Sequence, residues 1–320
     1  MEQRRLGRSG LRVSRMALGT MTWGQDTDAD EAASQLVAFL DAGGTLVDTA
    51  DVNADGEGER LLGTLLGELV PRENLVVATK AVARRDDSPF GGGASRGALL
   101  SALDGSLRRL GVDHVDLWQL HAWDPEVPIE ETLGAVEAAV HSGKVRYVGV
   151  SNYTGWQLAT ACTLRPAAIV STQVEYSLLE RGIEREVVPA ADHHGVGLLP
   201  WAPLGRGVLT GKYRSGTPAD SRGASPHFAP YVEQHRTERA ARIVQAVMTA
   251  ADGLGTSPIA VALAWVRDRP GVVAPVVGAR NAAQLAGSLA SEGLVLPPAI
   301  RAALDDVSDI ELGYPERRLG

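Results

Sequence analysis

The sequence contains a single cysteine, Cys162, in 320 residues. One thiol excludes a disulfide framework and any structural metal site built on several thiolates. No metal-ligand spacing of other residue types is evident either. No apolar run reaches the ~18 to 20 residues a membrane-spanning helix requires. Met1-Glu2-Gln3-Arg4-Arg5 leads into polar residues instead of a signal-peptide core, so a cytoplasmic protein without a membrane partner is expected. Aromatics are only 5% of the chain, and 39 acids against 31 bases give a formal net charge of -8. That acidic balance argues against a nucleic-acid partner, whose footprint would be basic. Lysine is scarcer still: Lys80, Lys144 and Lys212 are the only three among the 31 bases, and the rest are arginine. In a chain that uses arginine so heavily, each lysine invites a reason.

What is present is an alternation. Short apolar runs occur at Met16-Ala17-Leu18, Thr45-Leu46-Val47, Leu75-Val76-Val77-Ala78, Val115-Asp116-Leu117-Trp118, Tyr147-Val148-Gly149-Val150, Ile169-Val170-Ser171-Thr172, Gly197-Leu198-Leu199-Pro200 and Val272-Val273-Ala274. Amphipathic stretches lie between them, at 30–42, 58–70, 97–110, 129–142 and 155–161, several ending at a glycine suited to a left-handed C-cap, as at Gly43, Gly111 and Gly143. Eight β/α alternations in which strands read as continuous apolar runs predict an α/β protein with a closed parallel (β/α)8 TIM barrel. A doubly wound open sheet usually carries a Gly-rich turn after its first strand; Leu18-Gly19-Thr20-Met21-Thr22-Trp23-Gly24 lacks that spacing. Arg4 to Ser14 alternates around Gly7-Arg8-Ser9-Gly10 and predicts an N-terminal β-hairpin capping the lower end of the barrel. The polar stretch 205–234, after the seventh strand, is too long for an ordinary βα loop and is expected to cover a site. No linker or charge block divides the chain, so residues 1–320 are expected to form one domain.

In such a barrel the active site lies at the C-terminal ends of the strands. Asp48 follows the second run, Lys80 the third, His121 the fourth, Ser151-Asn152 the fifth, Gln173 the sixth and Trp201 the seventh. The segments Asp48-Thr49-Ala50, Val77-Ala78-Thr79-Lys80, Asp116-Leu117-Trp118-Gln119-Leu120-His121, Val148-Gly149-Val150-Ser151-Asn152 and Ala202-Pro203-Leu204-Gly205-Arg206-Gly207-Val208-Leu209-Thr210-Gly211-Lys212 resemble those of the aldo-keto reductase superfamily, in family order. Gly278-Ala279-Arg280 with Gln284 and Leu285 extends the resemblance toward residue 310.

The resemblance implies an oxidoreductase that binds NADP(H) in an extended pose and delivers a hydride to a carbonyl. Hydride delivery leaves negative charge on the carbonyl oxygen, so the site needs a proton donor and electrostatic support. In the family the donor is a tyrosine whose acidity is raised by a lysine, itself paired with an aspartate, while a histidine orients the carbonyl. Asp48, Lys80 and His121 match three of these four positions. The plainer reading of the same residues is a structural ion pair with a satisfied core histidine. At the fourth position this chain departs: Asp48-Thr49-Ala50-Asp51-Val52-Asn53 places Asn53 where the family's tyrosine stands. An amide can hydrogen-bond a carbonyl oxygen, but it has no accessible ionisation from which to protonate an alkoxide. Three explanations stay open: an inactivating Tyr-to-Asn replacement of an ordinary reductase, a natural protein using His121, another tyrosine or water as its acid, or a protein that binds cofactor with little turnover.

By the same resemblance Gly19, Thr20, Met21 and Asp48 meet the cofactor, Ser151, Asn152 and Gln173 hold its carboxamide, and Trp201 stacks on the nicotinamide. Ala202, Leu204, Gly205 and Gly207 let backbone amides approach the pyrophosphate, with Lys212 and Arg222 as further phosphate contacts. Gly278, Arg280, Gln284 and Ser288 match the adenosine end, and a guanidinium at 280 suits a 2′-phosphate. Gly287-Ser288 replaces a Glu-Asn pair that in the family grips adenine and ribose. Trp23, Trp123, Phe228 and Tyr231, with Asn53, are expected to line a pocket for a small aldehyde, ketone or keto-sugar. Two other functions compete: a cofactor-binding regulatory protein, as in the potassium-channel β subunits of the same superfamily, and a lyase- or isomerase-like use of Lys80, His121 and Asp48 to move protons. The sequence leaves an oligomer open.

Overall fold

The protein is described by a computed structural model, which covers the chain except 165–168, 215, 219–220, 225–228, 312 and 315–320, and covers the backbone alone at Arg222 and Tyr231. An antiparallel hairpin of β1 (Gln3–Arg5) and β2 (Arg12–Ser14) comes first. Strands β3 (Ala17–Gly19), β4 (Leu46–Asp48), β5 (Val76–Ala81), β6 (Val115–Leu120), β7 (Val145–Ser151), β8 (Ile169–Glu175), β9 (Gly197–Trp201) and β10 (Val276–Gly278) follow. They form one parallel sheet in the order β10-β3-β4-β5-β6-β7-β8-β9, a nearly closed (β/α)8 TIM barrel. Helices α1 (Ala29–Asp41), α2 (Glu57–Leu65), α3 (Arg96–Leu110), α4 (Ile129–His141), α5 (Gly155–Leu164) and α6 (Val187–His194) connect successive strands from β3 to β9. Between β9 and β10 run α7 (Ala229–Glu233), α8 (Glu238–Leu254) and α9 (Pro258–Arg267), and α10 (Ala282–Leu289) and α11 (Pro298–Val307) close the chain's regular structure.

Local chemistry sets these boundaries. Asp28, Ser95, Thr237 and Ser257 each accept a backbone N–H at the start of α1, α3, α8 and α9, satisfying donors the first helical turn leaves orphaned. Gly111 ends α3 at φ 65°, a left-handed conformation that a Cβ would penalise. The sheet alternates in the way a barrel demands. Leu46, Ala78, Leu117 and Leu199 pack together inside with Leu6 and Val13 of the hairpin, while Trp118 points outward into the core between strands and helices. The hairpin thus plugs the lower end, as its sequence predicts, and the N–H of Arg8 donates to Gly195 O just ahead of β9.

Two boundaries differ from expectation. The eighth strand lies at Val276–Gly278, whereas Val272 makes only an isolated bridge to Leu198. Pro275 has no N–H and divides the apolar run, so its two halves bond different neighbours: Val273 N donates to Leu198 O of β9, and Ala17 N of β3 donates to Pro275 O. This exchange of partners is the seam that closes the ring. Helix α2 also stops at Leu65, short of Val70, because Leu66 turns extended and Gly67 follows at φ 86°. Among the described residues no single helix is long and apolar enough to cross a membrane.

Candidate active site

Parallel pairing carries five polar side chains to one level at the upper end of the barrel. Asp48 ends β4, Lys80 and Gln119 are register partners in β5 and β6, and Ser151 and Gln173 are register partners in β7 and β8. Lys80 is buried, with Nζ 2.6 Å from Asp48 Oδ2 and 2.9 Å from Thr49 O. The other carboxylate oxygen, Asp48 Oδ1, accepts the side-chain N–H groups of Gln119 at 3.0 Å and Gln173 at 2.9 Å. A carboxylate can only accept here, which fixes both amide orientations. Three donors from three strands therefore hold one buried aspartate, the compensation that a charge removed from water requires.

His121 follows β6, and its backbone is fixed on both sides: its N–H donates to Ala81 O, and its carbonyl accepts Asn152 Nδ2 at 2.9 Å. Burial, assisted by the Lys80 charge and opposed by Asp48, pushes the imidazole down to about 4, so the ring is neutral at physiological pH. Asn152, left-handed at φ 58°, also accepts the indole N–H of Trp201 at 3.0 Å. The Asn152 side chain thus straps the ends of β6, β7 and β9 together. Ser151 Oγ donates to Gln173 O, leaving its lone pairs and Gln173 Oε1 as acceptors.

Asn53 opens a 3₁₀ turn, Asn53–Gly56, in which Ala54 and Asp55 both adopt left-handed backbone, a strained arrangement for residues with a Cβ. Behind this loop Asp51 is buried, and neither of its carboxylate oxygens has a hydrogen-bond partner among the described residues; Arg85 Nε lies 3.3 Å from Oδ2. Burial and then neighbouring Glu59 push Asp51 up to about 7, against the pull of Arg85, Arg109 and Lys80. Glu59 itself accepts Thr79 Oγ1 and Arg109 Nε at 2.5 and 2.7 Å.

A cavity of about 650 Å³ runs from this cluster across the top of the barrel. Asp48, Asn53 and His121 line one end; Ser151, Asn152, Gln173 and Trp201 the middle; Gly278, Arg280, Gln284 and Ser288 the far end. Gly19, Thr20 and Met21 form one wall, and Ala202, Leu204, Gly207 and Lys212 another. Lys80 lies beneath this surface, held by Asp48 and Thr49. Gly205 is buried at φ 53°, where a Cβ would come within 2.5 Å of Leu179 Cδ1, and Gly207 lies at φ 91° beside Lys212. Only glycine makes this cradle without strain.

Two aromatic assignments are corrected. Trp23 is fully buried, with its indole N–H donated to Gln35 Oε1 of α1 at 3.0 Å, and it packs in the core under the first loop instead of lining the cavity. Trp123 leaves the cavity wall to pack edge-on against Tyr153 and Trp156, with ring centroids 5.3 and 5.2 Å apart. Phe228 lies outside the described residues, as do the side chains of Tyr231 and Arg222. Sequence reasoning gave no role to Gln119, or to Arg206, which lines the cavity 5.1 Å over the Trp201 ring and 3.6 Å from Glu175. Position between two required glycines was the signal for Arg206; for Gln119 it was the polar side chain two residues before His121, within a buried run.

The profile of the Aldo/keto reductase family matches residues 15–309. An uncharacterized oxidoreductase, YrpG of Bacillus subtilis (strain 168), is 38% identical over 320 residues, covering 96% of each chain. A probable voltage-gated potassium channel subunit beta of Oryza sativa subsp. japonica is 33% identical, over 99% of this chain and 98% of its own. Aldo-keto reductase YhdN of Bacillus subtilis (strain 168) is 32% identical, over 89% of this chain and 87% of its own. The chain belongs to the aldo/keto reductase family, oxidoreductases of carbonyl and alcohol groups that generally use nicotinamide cofactors.

Proposed function

We propose that the protein is an NADPH-dependent reductase of a small aldehyde, ketone or keto-sugar, in which Asn53 alters the proton-delivery step. The observation that carries this reading is the buried Lys80–Asp48 pair, set with His121 at one end of a cavity whose other end holds Arg280. The cavity's chemistry fits a dinucleotide: a left-handed glycine cradle beside Lys212, free acceptors on Ser151 and Gln173 for a carboxamide, and a guanidinium for a 2′-phosphate. When bound, the nicotinamide supplies the hydride. Asn53 and neutral His121 can both donate hydrogen bonds to a carbonyl oxygen between them, which orients it and steadies developing charge.

Neither group is a good acid. Asn53 has no titratable proton, and His121 is not charged at neutral pH. Among the described residues no tyrosine replaces them: none lines the cavity, and burial pushes Tyr153 and Tyr176 above the ordinary phenol range. Solvent water then supplies the proton, and turnover is slow. We read residues 1–320 as one cytoplasmic domain with no nucleic-acid or membrane partner, in keeping with its acidic balance and single cysteine.

A second reading, a cofactor-binding regulatory protein, draws on Asn53 and on the potassium channel subunit beta relatives. One assay separates the two: NADPH oxidation against a carbonyl panel, for the chain and its Asn53→Tyr form, beside NADPH binding by fluorescence. The reductase reading expects kcat to rise by about 100- to 10,000-fold in Asn53→Tyr, the usual worth of a positioned acid. Binding without turnover in either form favours the regulatory reading, and no binding removes both.

A further inference from the structure

Asp48 Oδ1 is held by two amides, and only Gln173 reaches the cavity; Gln119 does not line it. Gln119 is fully buried inside the barrel, and its Oε1 has no hydrogen-bond partner among the described residues. A leucine or methionine there would pack without stranding a polar atom, so the amide carries a stability cost. The sheet is built to admit it. Gly149, its register partner in β7, would with a Cβ come within 3.1 Å of Gln119 Cγ and 2.3 Å of Ser171 Oγ. A glycine in the middle of a barrel strand marks such a close approach. Room and cost are both spent on one contact, the 3.0 Å bond to Asp48.

We propose that Gln119 is a positioning residue: it pins Asp48 Oδ1 so that Oδ2 stays on the Lys80 ammonium, and it lets Gln173 turn its Oε1 to the cavity. The consequence for turnover rests on the reductase reading above, but the arrangement of Lys80 does not. Without Gln119, Asp48 Oδ1 keeps one of its two amide donors, so the carboxylate is less firmly oriented and the direction it gives the Lys80 ammonium shifts. Gln173 shares the same oxygen but faces the cavity, so the two amides separate by function. Gln119 governs the rate, and Gln173 governs both the rate and cofactor affinity.

Three lysines make the test direct. In full-length protein labelled with ¹⁵N-lysine, the Lys80 Nζ resonance is assigned by comparison with Lys144→Arg and Lys212→Arg. The expected result is a protected Lys80 ammonium signal that is shifted or lost in Gln119→Leu, with the melting temperature not lowered. In the Asn53→Tyr form, Gln119→Leu should lower kcat by about 10- to 100-fold, as misplacement of a catalytic group does, with the NADPH Kd within about two-fold. Gln173→Leu should weaken NADPH binding as well. An unchanged Lys80 signal in Gln119→Leu overturns the proposal, as does a fall in kcat matched by equal losses of melting temperature and NADPH affinity, which would mark a packing role. If Asn53→Tyr proves inactive, the reductase reading fails while the Lys80 signal still decides the role of Gln119.

Discussion

Two kinds of buried cation divide the molecule. Lys80, at the top of the barrel, binds one carboxylate oxygen and one carbonyl. Arg267, at the end of α9 and 0% exposed, spreads its donors over Asp268 and the carbonyls of Ser291, Glu292 and Leu294. Buried Arg181 and half-buried Arg4, Arg72 and Arg239 follow the second pattern, each donating to a carbonyl of another segment. A planar guanidinium satisfies several fixed acceptors at once and does not give up its proton, whereas an ammonium is a compact charge with a third hydrogen to spare. These arginines tie loops and helix ends to one another, whereas Lys80 is held among the strand ends beneath the cavity. Lys144 belongs to neither group: it is half-buried at the surface and pairs with Asp104 at 2.7 Å, a contact of small worth beside water.

Exchanging the two cation types would break this comparison most sharply. In the Asn53→Tyr form, Lys80→Arg should lower kcat by about 1,000-fold, equivalent to about 4 kcal/mol of transition-state stabilisation, with little change in unfolding. Retention of more than a tenth of the rate would mean the site needs only a positive charge. The reverse exchange, Arg267→Lys, should cost about 2 to 4 kcal/mol in urea unfolding, because it strands buried carbonyls, and should leave kcat unaltered. A loss of kcat without a loss of stability would put Arg267 in the wrong class.

The smallest expected effect concerns Asp51, a buried acid whose carboxylate oxygens no donor satisfies among the described residues. Its folded value of about 7 lies above its ordinary 3.8, so the folded state holds the proton that the unfolded state releases. The stability this contributes is complete below pH 4 and is lost as pH rises toward 7. Asp51→Asn should remove that loss, giving about 1 to 2 kcal/mol more stability at pH 7.5 than the parent and no gain at pH 4, read from denaturation curves across pH. His121 acts in the opposite direction. Pushed down to about 4, it costs stability as pH falls below its ordinary 6.5, and that slope should survive in Asp51→Asn.

The parts of the fold visible in the sequence were those governed by short-range pattern. Seven strands could be placed because each is a short apolar run bounded by helical pattern, and six of them, from the second to the seventh, end on a functional-looking side chain, from Asp48 to Trp201. The eighth could not, because Val272-Val273-Ala274-Pro275-Val276-Val277 is apolar throughout, and only the partner choice on either side of Pro275 decides which half is strand. Trp23 misled for a related reason. A tryptophan in an upper loop looks like a pocket wall until Gln35, twelve residues on, takes its indole N–H into the core. Gln119 carries the same lesson at the site itself, since its role exists only through Asp48, on a strand two places away in the sheet.

The scarcity of lysine also makes the protein a convenient chemical reporter. Lys80 is sealed beneath Asp48, and Lys144 lies in the turn before β7, on the N-terminal side of the barrel. Lys212 is exposed and stands at the cavity mouth, with Nζ 5.3 Å over the Tyr213 ring. In a Lys144→Arg background, an amine-directed reagent would find a single accessible side-chain amine, and its rate of attachment would track occupancy of the cavity. Ligand screening could then proceed by mass shift, with no turnover required.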